Sequence, residues 1–516
     1  MYNLSEVLEY STRRFPNAEA LVFAQHRISY AELDAMANQV ASGLVEIGIR
    51  PGDKVALTCP NLPYFPVVYY GILKTGAIVV PLSVLLKGDE VAYHLQNSDA
   101  KAYFCFQGTP ELPMGEYGYK GFENAEDCEH FYMIMANPAD PSLIENTKTL
   151  GGLMVTKSPV FETYQTIESD TAVIIYTSGT TGKPKGAELT HSNLLLNAKA
   201  AVAPNLANMK QSDNLLTVLP LFHIFGQSVI MNAGIMAGAT LVLMPRFDGA
   251  QAFEIMEKEN ITIFGGVPTM YWALLHTDTE KFDMDKISSN LQMCVSGGAS
   301  LPVAVLHEFE EKYNVEILEG YGMSEGSPVV TFNQTDRGRK PGSVGTPIWG
   351  LSVKLVDDQG NDVPNGDKGE LIYRGHNVMK GYYKNPSETE KTLKNGWLYS
   401  GDIAIKDEDG FYFIVDRTKD MIIRGGLNVY PREVERAMMK HDAISLVAVI
   451  GIPDEAMGEE VKAFVVLKPG KEADTDEIIA WTKSKIASYK YPREVEILEA
   501  LPMSATGKIL KKELRK

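Results

Sequence analysis

Cysteine is scarce in this sequence, and the few cysteines are widely spaced. They are Cys59, Cys105, Cys128 and Cys294, and no two of them form a C-x-x-C pair. A disulfide framework needs many cysteines in a short chain, and a cysteine-rich zinc site needs paired ones. The sequence therefore argues against both classes and predicts a protein of a reducing compartment.

Long apolar runs are also missing. No segment reaches the run of about 18 to 20 apolar residues that a transmembrane helix needs. The N-terminal sequence MYNLSE lacks the basic start and the apolar stretch of a secretory signal. We therefore expect an enzyme of the cytoplasm. A peripheral contact with a membrane is compatible with this expectation.

Positive charge is in short supply. Lysine and arginine number 49 against 66 aspartates and glutamates, which gives a formal net charge of −17. A molecule of this charge does not attract nucleic acid or an anionic membrane from a distance. We therefore expect no nucleic-acid partner, and an anionic ligand must be held by donors of its own site.

The spacing of apolar residues indicates alternating helices and strands through most of the chain. A helix pattern at residues 29–44 is followed by a strand at 55–57, a helix at 67–73 and a strand at 77–81, which is the rhythm of a βαβ unit. Similar short apolar runs recur at residues 172–176, 215–219, 240–244, 261–264 and 293–295. Residues 107–163 are too irregular to assign. At 516 residues the chain is too long for a single core, and we predict a large α/β body.

The texture changes near residues 352–356, where short alternating strands are separated by turns rich in Asp, Asn and Gly. After a charged stretch, the last part of the chain carries helix and strand signals of its own. We predict an N-terminal body at residues 1–417, with a small barrel-like β-rich subdomain at about 330–417. We place a hinge at 418–420 and a small mobile α+β domain at 421–516.

A loop rich in glycines and hydroxyls follows one of these apolar runs. Its sequence is YTSGTTGKPKG at residues 176–186, and it offers backbone N–H groups, hydroxyls and lysines, which are the donors that phosphate needs. It is not a Walker loop, because Gly179 and Gly182 are three residues apart and Pro184 follows Lys183. We interpret it as a phosphate loop, and a plain surface turn is the alternative.

The segment GYGMSEG at residues 320–326 allows two interpretations. Its last five residues match the G-x-S-x-G nucleophile elbow, with Ser324 as nucleophile and with Asp402 and His441 later in the order of a hydrolase triad. No oxyanion segment of the HGGG type precedes it. This match keeps a serine hydrolase as a hypothesis of a different class.

The second interpretation places the same segment around a nucleotide. Tyr321 then stacks on a purine, and Glu325 binds a magnesium ion that bridges phosphates. Asp402 and Arg417 flank an expected hairpin, where an aspartate suits a ribose diol. For each of these residues a structural or surface role is the alternative.

Two further residues carry both a functional and a structural interpretation. Lys508 stands in the sequence SATGK close to other basic residues, so a solvated basic tail is its alternative. His223 stands among apolar and aromatic neighbours in PLFHIFG, where a core histidine is the alternative.

Taken together and in this order, the segments resemble the superfamily of adenylate-forming enzymes, in particular its acyl-CoA synthetase and fatty-acid–CoA ligase branch. The resemblance covers nearly the whole chain. It is carried by the motifs YTSGTTGKPKG, PLFHIFG, GYGMSEG, YSGD, DRTKD, IIRGGLNVYPREVE and SATGKIL. Several motifs in one order are far more specific than any one of them.

The resemblance implies a nucleotide site and a magnesium site. The residues that it assigns to ATP or AMP are Thr177, Ser178, Gly179, Thr180, Thr181, Gly182, Lys185, Gly298, Ala299, Glu319, Gly320, Tyr321, Gly322, Ser324, Asp402 and Arg417. The loop residues would hold the phosphates, the turn at 296–299 with Tyr321 the adenine, and Asp402 with Arg417 the ribose. Mg²⁺ would be bound by Thr180 and Glu325.

The resemblance also implies a reaction in two steps. The carboxylate of the acid attacks the α-phosphorus of ATP, and Lys508 with Mg²⁺ stabilises the charge as pyrophosphate leaves. The C-terminal domain then turns about a hinge at Lys419 and brings Gly425 and Gly426 to the site, where CoA takes the acyl group and AMP leaves. His223 and Glu325 are the other residues assigned to catalysis.

The apolar neighbours of His223 indicate the kind of acid. Relatives that activate amino acids commonly carry an aspartate in this segment, and PLFHIFG carries none. We therefore expect a medium- or long-chain fatty acid that is converted to acyl-AMP and then acyl-CoA, with an aryl or other acid as the alternative. The expected partners are the acid, ATP and CoA, and a homodimer stays open.

Overall fold

A computed structural model of the chain describes residues 3–177, 183–417, 420–425, 427–455, 457–504 and 507–515. Four β-sheets and the helices between them make up this part of the chain. The α/β class that the sequence predicts is therefore confirmed.

The strands before residue 350 belong to the two large sheets. They are β1 (Glu19–Phe23), β2 (His26–Ser29), β3 (Lys54–Thr58), β4 (Ile78–Pro81), β5 (Ala100–Phe106), β6 (His130–Ile134), β7 (Lys148–Thr149), β8 (Thr171–Thr177), β9 (Lys185–Thr190), β10 (Asn214–Thr217), β11 (Thr240–Leu243), β12 (Ile263–Gly266), β13 (Met293–Ser296), β14 (Ile317–Gly322), β15 (Val329–Phe332) and β16 (Thr346–Pro347).

The later strands lie mainly in two smaller sheets. They are β17 (Leu351–Val356), β18 (Lys368–Gly375), β19 (Gly381–Tyr382), β20 (Leu393–Lys394), β21 (Trp397–Lys406), β22 (Tyr412–Arg417), β23 (Ile422–Arg424), β24 (Leu427–Val429), β25 (Ile444–Asp454), β26 (Gly458–Leu467) and β27 (Glu494–Ile497).

The helices are short and lie between the strands. They are α1 (Glu6–Arg14), α2 (Tyr30–Glu46), α3 (Tyr64–Lys74), α4 (Gly88–Ser98), α5 (Met114–Glu123), α6 (Leu150–Met154), α7 (His191–Ala201), α8 (Ala233–Ala237), α9 (Gly249–Lys258), α10 (Pro268–His276), α11 (Met284–Asn290), α12 (Val303–Tyr313), α13 (Pro386–Thr392), α14 (Pro431–Met438) and α15 (Thr475–Lys483). A π-helical segment covers Phe225–Asn232. Within the described ranges, no helix combines the length and the apolar character needed to cross a bilayer.

The first large sheet contains the βαβ unit that the sequence predicts. Its strands lie in the order β19-β9-β8-β4-β3-β5-β6-β7. β3 and β4 are parallel neighbours joined by α3, with Val55 opposite Val79. All residues of β4 are buried, as expected for a parallel strand covered on both faces. β8 and β9 form an antiparallel hairpin with Thr177 opposite Lys185, so no helix follows the glycine-rich loop.

The second large sheet has the order β16-β15-β14-β13-β12-β10-β11-β1-β2. The apolar runs predicted near 215, 240, 261 and 293 are β10, β11, β12 and β13, and the neighbours among them pair in parallel. β13 and β14 are also parallel and end at Ser296 and Gly322. Because the carboxyl ends of parallel strands meet at one edge of a sheet, the segments that follow these two strands lie side by side.

The helix predicted at residues 29–44 is α2. Its start is fixed by a capping box, in which the Ser29 hydroxyl accepts from the N–H of Glu32 and the Glu32 carboxylate accepts from the N–H of Ser29. Leu33, Ala37 and Leu44 are fully buried on one face. Capping and periodicity therefore agree, which is why this helix could be predicted.

The unassigned region 107–163 contains α5, β6, β7 and α6. Glycines hide the helix pattern of α5, and they are needed for its packing. A Cβ on Gly118 would lie 2.4 Å from Cys105 Sγ, and a Cβ on Gly121 would lie 2.5 Å from Val91 Cβ. The helix depends on close contact with β5 and α4, which local sequence does not reveal.

The two smaller sheets confirm the change of texture near residue 350. One has the order β17-β18-β21-β20 with β22 beside β21, and the other has the order β24-β23-β26-β25 with β27 beside β26. The second sheet packs with α14 and α15 around a core separate from that of the body, with Val434, Ile444 and Ile478 at its centre. The domain boundaries stay predictions, and the hinge positions Thr418 and Lys419 lie outside the described residues.

A buried ion-pair cluster joins the N-terminal helices. Lys74 is 1% exposed, and its Nζ lies 2.7 Å from Glu9 Oε1 and 2.9 Å from Asp34 Oδ1. The cluster thereby ties α3 to α1 and α2.

Replacing Lys74 by alanine is expected to lower the free energy of unfolding by about 3 to 5 kcal/mol, because two largely buried carboxylates lose their shared cation. Urea denaturation followed by circular dichroism measures the change. Lys101→Ala is the matched control, since Lys101 is 41% exposed in its pair with Glu129. The control should lose less than about 1 kcal/mol, and equal losses in both variants would contradict the role of the cluster.

Candidate active site

A cavity of about 1350 Å³ opens where β8, β13 and β14 end. Segments from both large sheets, from the β-rich sheet and from the C-terminal segment contribute to its wall. We call the polar groups and glycines of its lining the polar side, and the apolar residues of segment 219–229 and their neighbours the apolar side. The cavity thus offers a polar and an apolar compartment that meet.

Most of the predicted site residues that the structure describes line this cavity. They are Thr177, Lys185, His223, Gly298, Ala299, Gly320, Tyr321, Gly322, Ser324, Glu325, Arg417 and Lys508. Glu319, Asp402 and Gly425 do not belong to its lining. Ser178, Gly179, Thr180, Thr181, Gly182, Lys419 and Gly426 lie outside the described residues.

Glu325 connects three segments at the polar side. It is 6% exposed and sits in a 3-10 turn directly after β14. Its Oε1 accepts from the Tyr382 hydroxyl at 2.7 Å and from the Thr177 hydroxyl at 3.5 Å. A buried carboxylate is stable only with such donors, so these bonds hold the ends of β8, β14 and β19 together.

The carboxylate oxygens of Glu325 are of the kind that binds magnesium. Mg²⁺ prefers oxygen ligands and is usually bound by one or two carboxylates together with substrate phosphates. Among the described residues no group of three or more His, Cys, Asp and Glu could hold a metal ion by itself. Glu325 therefore fits a magnesium ion that reaches the site with a nucleotide.

Two residues beside Lys185, Tyr382 and Glu388, were not predicted from the sequence. Lys185 Nζ lies 2.8 Å from Glu388 Oε2 and 4.5 Å from the centre of the Tyr382 ring. The ammonium groups of Lys185 and Lys391 hold the pKa of Glu388 at about 2. Glu388 and Tyr382 are some two hundred residues from Lys185 in sequence, and no local pattern marks them.

A hydrogen-bonded group is formed by Tyr321, Asp402 and Arg417. The Tyr321 hydroxyl donates to Asp402 Oδ2 at 2.6 Å, and Arg417 Nε donates to Oδ1 at 3.1 Å. Asp402 and Arg417 are opposite each other on β21 and β22, as the predicted hairpin requires. Burial raises the pKa of Tyr321, so its hydroxyl keeps its proton and remains a donor. The aspartate oxygens have further lone pairs for a ribose hydroxyl.

His223 lines the cavity within segment 219–229. Its Nδ1 accepts from the N–H of Phe225 at 3.3 Å, just before the π-helical segment. Burial, together with the nearby charge of Lys508, lowers the pKa of His223 to about 4. The imidazole is therefore neutral near pH 7, where it can form hydrogen bonds but carries no charge.

Lys508 reaches the cavity from the C-terminal segment. The hydroxyl of Thr269 donates to the carbonyl of Gly507 at 3.3 Å, and the Lys508 N–H donates to Ser504 Oγ at 3.1 Å. Gly507 has φ +73°, and a Cβ there would lie 2.8 Å from Thr269 Oγ1. Only glycine fits this close approach, which places Lys508 next to His223.

Gly425 lies elsewhere. It forms the turn between β23 and β24 with φ +56°, and its N–H donates to the carbonyl of Met457 at 2.8 Å. The structure therefore brings Lys508, and not Gly425, to the cavity.

The serine hydrolase triad is not assembled. Asp402 is bonded to Tyr321 and Arg417, and His441 contacts the Trp481 ring edge-on at 5.0 Å within the C-terminal segment. Among the described residues no hydrogen bond joins Ser324 to either of them. The hydrolase alternative therefore lacks its geometry.

Glu319 lies on β14 and does not belong to the cavity lining. It is 4% exposed; its Oε1 accepts from the N–H of Leu301 at 3.2 Å, and its Oε2 has no hydrogen-bond partner among the described residues. Burial raises the pKa of Glu319 to about 7, although backbone N–H groups, Arg436 and Arg339 act in the opposite direction. Its hydrogen bond with Leu301 holds the end of segment 298–301 in place.

Glu319→Gln should change how stability depends on pH. The folded-state pKa of about 7 exceeds the ordinary value of 4.5, so the folded protein binds more protons and the wild type loses stability as pH rises through this window. The variant lacks the titrating group. Its melting temperature relative to wild type should therefore rise by several degrees between about pH 5 and about pH 8. A difference that is independent of pH would contradict the assignment.

Comparisons with known proteins agree with this geometry. The family model for AMP-binding enzymes matches residues 8–383, and the model for the C-terminal domain of AMP-binding enzymes matches residues 433–508. A long-chain-fatty-acid–CoA ligase of Bacillus subtilis (strain 168) is 36% identical, over 99% of this chain and 94% of the relative. A feruloyl-CoA synthase of an Amycolatopsis species is 35% identical, over 98% of this chain and 96% of the relative.

Solved structures extend the likeness to three dimensions. ATP-bound MatB from Rhodopseudomonas palustris is 30% identical and has a TM-score of 0.90, over 100% of this chain and 98% of that chain. The apo form of the same protein covers the same shares of both chains and has a lower TM-score of 0.79. The chain therefore belongs to the family of AMP-binding enzymes, in the acyl-CoA synthetase branch of the adenylate-forming superfamily, and it is an AMP-forming acid–thiol ligase.

Proposed function

We propose that the chain converts a medium- or long-chain fatty acid, ATP and CoA to acyl-CoA, AMP and pyrophosphate. The observation that carries this proposal is the cavity of about 1350 Å³, whose lining combines the apolar and the polar side with His223 and Lys508. An acid bound with its tail on the apolar side presents its carboxylate to a nucleotide on the polar side. The name of the Bacillus subtilis relative supports the same class of acid.

The described residues of the apolar side offer no carboxylate for an ammonium and no lysine or arginine for a second carboxylate. The residues that line it include Phe222, Phe225, Val229, Val295 and Phe332. Among the described lining residues, segments 219–229 and 328–332 contribute no acidic side chain. An aryl acid is the second candidate, which the feruloyl-CoA synthase favours by its name.

The residues of the polar side have distinct tasks in the first step. Glu325 and, by the resemblance, Thr180 would hold Mg²⁺, which supplies positive charge to the phosphates when bound. Lys508 stabilises the charge that develops as the carboxylate oxygen bonds to the α-phosphorus and the bond to pyrophosphate breaks. The neutral His223 donates or accepts a hydrogen bond beside the acid and adds no repelling charge.

The second step requires a different arrangement of the C-terminal domain. We infer that this domain, at residues 421–516, turns about Lys419 and exchanges Lys508 for Gly425 and Gly426, so that the CoA thiol attacks the acyl carbonyl and AMP leaves. Two observations support the first arrangement here. Lys508 lines the cavity while Gly425 does not, and the likeness to MatB is greater for the ATP-bound form.

The proposal places the enzyme in the cytoplasm. ATP and CoA are its co-substrates. A homodimer and a peripheral contact with a membrane, which would bring the enzyme to its fatty acids, belong to the proposal as additions that gel filtration and vesicle flotation test.

Lys508→Ala should lower the rate of adenylate formation by about 10² to 10³-fold, since one transition-state donor is lost. Thioester formation from supplied acyl-adenylate should survive. ATP–pyrophosphate exchange and CoA consumption measure the two steps. Lys512→Ala is the matched control, because Lys512 is exposed in the same basic tail. An equal loss in both steps would refute the assigned role.

AMP release across a panel of acids, each with and without CoA, should identify the substrate class. We expect the highest kcat/KM for medium- or long-chain fatty acids and values lower by at least about tenfold for ferulate and benzoate, because the apolar side rewards added methylene groups. Release that requires CoA in every case would confirm the acceptor. A preference for the aryl acids would select the alternative.

A further inference from the structure

The start of α14 is bonded to the body by two separate contacts. The backbone N–H of Arg432 donates to Asp416 Oδ2 at 2.9 Å, and the Arg432 guanidinium donates to Ser300 Oγ at 3.0 Å. Asp416 lies on β22, before the predicted hinge, and Ser300 lies after β13. Three segments that are distant in sequence therefore meet at one residue of the C-terminal segment.

The contact with Asp416 completes the helix. The first N–H groups of a helix lack partners within it, and the N-cap residue of α14, Tyr430, offers no side-chain bond. Asp416 is 1% exposed and also accepts from the N–H of Arg417 at 2.7 Å, so its position is fixed. The helix start is capped from the other side of the hinge, and this bond uses only the backbone of Arg432.

The contact with Ser300 reaches the nucleotide side. Ser300 directly follows Gly298 and Ala299, which line the cavity. The neighbouring Leu301 N–H donates to Glu319, whose pKa is influenced by the charge of Arg436. Arg432 and Arg436 are four residues apart and share one face of α14, so this face is directed at segment 298–301.

Other contacts hold α14 near the body without Arg432. Lys368 of β18 lies 4.0 Å from the centre of the Tyr430 ring and 3.9 Å from Glu433 Oε2. These contacts and the Asp416 bond persist when the guanidinium is removed. Arg432→Ala is therefore expected to keep its fold, and it loses the link to Ser300 together with the guanidinium charge near Asp416.

We propose that Arg432 is a positioning residue for adenylate formation, which acts by tying segment 298–301 to the arrangement that places Lys508 in the cavity. The inference rests on the proposed two-step reaction. When segment 298–301 contacts a nucleotide, the Arg432–Ser300 bond favours the arrangement for the first step. Since coupling between two sites is reciprocal, the same bond favours nucleotide binding when Lys508 is in place.

The test measures both steps separately in Arg432→Ala, Ser300→Ala and the double variant. kcat/KM for ATP in pyrophosphate exchange should fall by about three- to tenfold in each single variant, the range for one partly exposed hydrogen bond to a charged donor. The double variant should lose no more than one of them, because both remove the same bond. Thioester formation from supplied acyl-adenylate should be unchanged or faster.

Two controls separate this role from a structural one. Ser300→Thr keeps the hydroxyl and should stay near wild type, and Arg13→Ala removes an arginine that is 59% exposed on α1. Equal losses in both steps, additive losses in the double variant, or a Ser300→Thr variant as slow as Ser300→Ala would overturn the inference. A wild type that forms no adenylate from any acid would instead refute the proposed function.

Discussion

The Glu325 carboxylate is the point at which the polar side of the cavity is held together. It accepts from Thr177 at the end of β8 and from Tyr382 of β19, while it follows β14 itself. A carboxylate at 6% exposure needs these donors, and they reach it because β8 and β19 of one large sheet lie close to the end of β14 in the other. The same Tyr382 ring lies against Lys185, so the phosphate loop ends on this group. This contact therefore links the two large sheets at the cavity that both of them line.

Burial keeps two groups of the cavity lining uncharged. His223 is held neutral by burial and by the charge of Lys508, and Tyr321 keeps its proton because it is buried beside Asp402. Lys508 is thereby the cation that the C-terminal segment contributes at the junction of the polar and apolar sides. The link from Arg432 to Ser300 connects that same segment to the nucleotide side. The C-terminal segment thus contacts the body both through the charge of Lys508 and through the Arg432–Ser300 bond.

Much of the fold could be predicted where local signals were strong. The capping box of α2 and the apolar strands β3 and β4 left a clear pattern, and twelve of the predicted site residues line one cavity. α5 was missed, because glycines that permit close packing also erase its periodicity. Tyr382 and Glu388 were missed for a different reason. Their partners are far away in sequence, and nothing near them indicates the contact.

The sequence by itself determined the chemistry that is present, namely the loop rich in glycines and hydroxyls, the motif carboxylates, the lysine near the C-terminus and the apolar segment around His223. Its apolar runs also determined the positions of the strands that precede these motifs. Only the tertiary structure decided which groups pair: Asp402 with Tyr321 rather than with a hydrolase histidine, and Lys185 with Glu388. The reason is physical. Side-chain chemistry and periodicity are local properties of the chain, whereas pairing and pKa depend on burial and on distances between segments that only packing brings together.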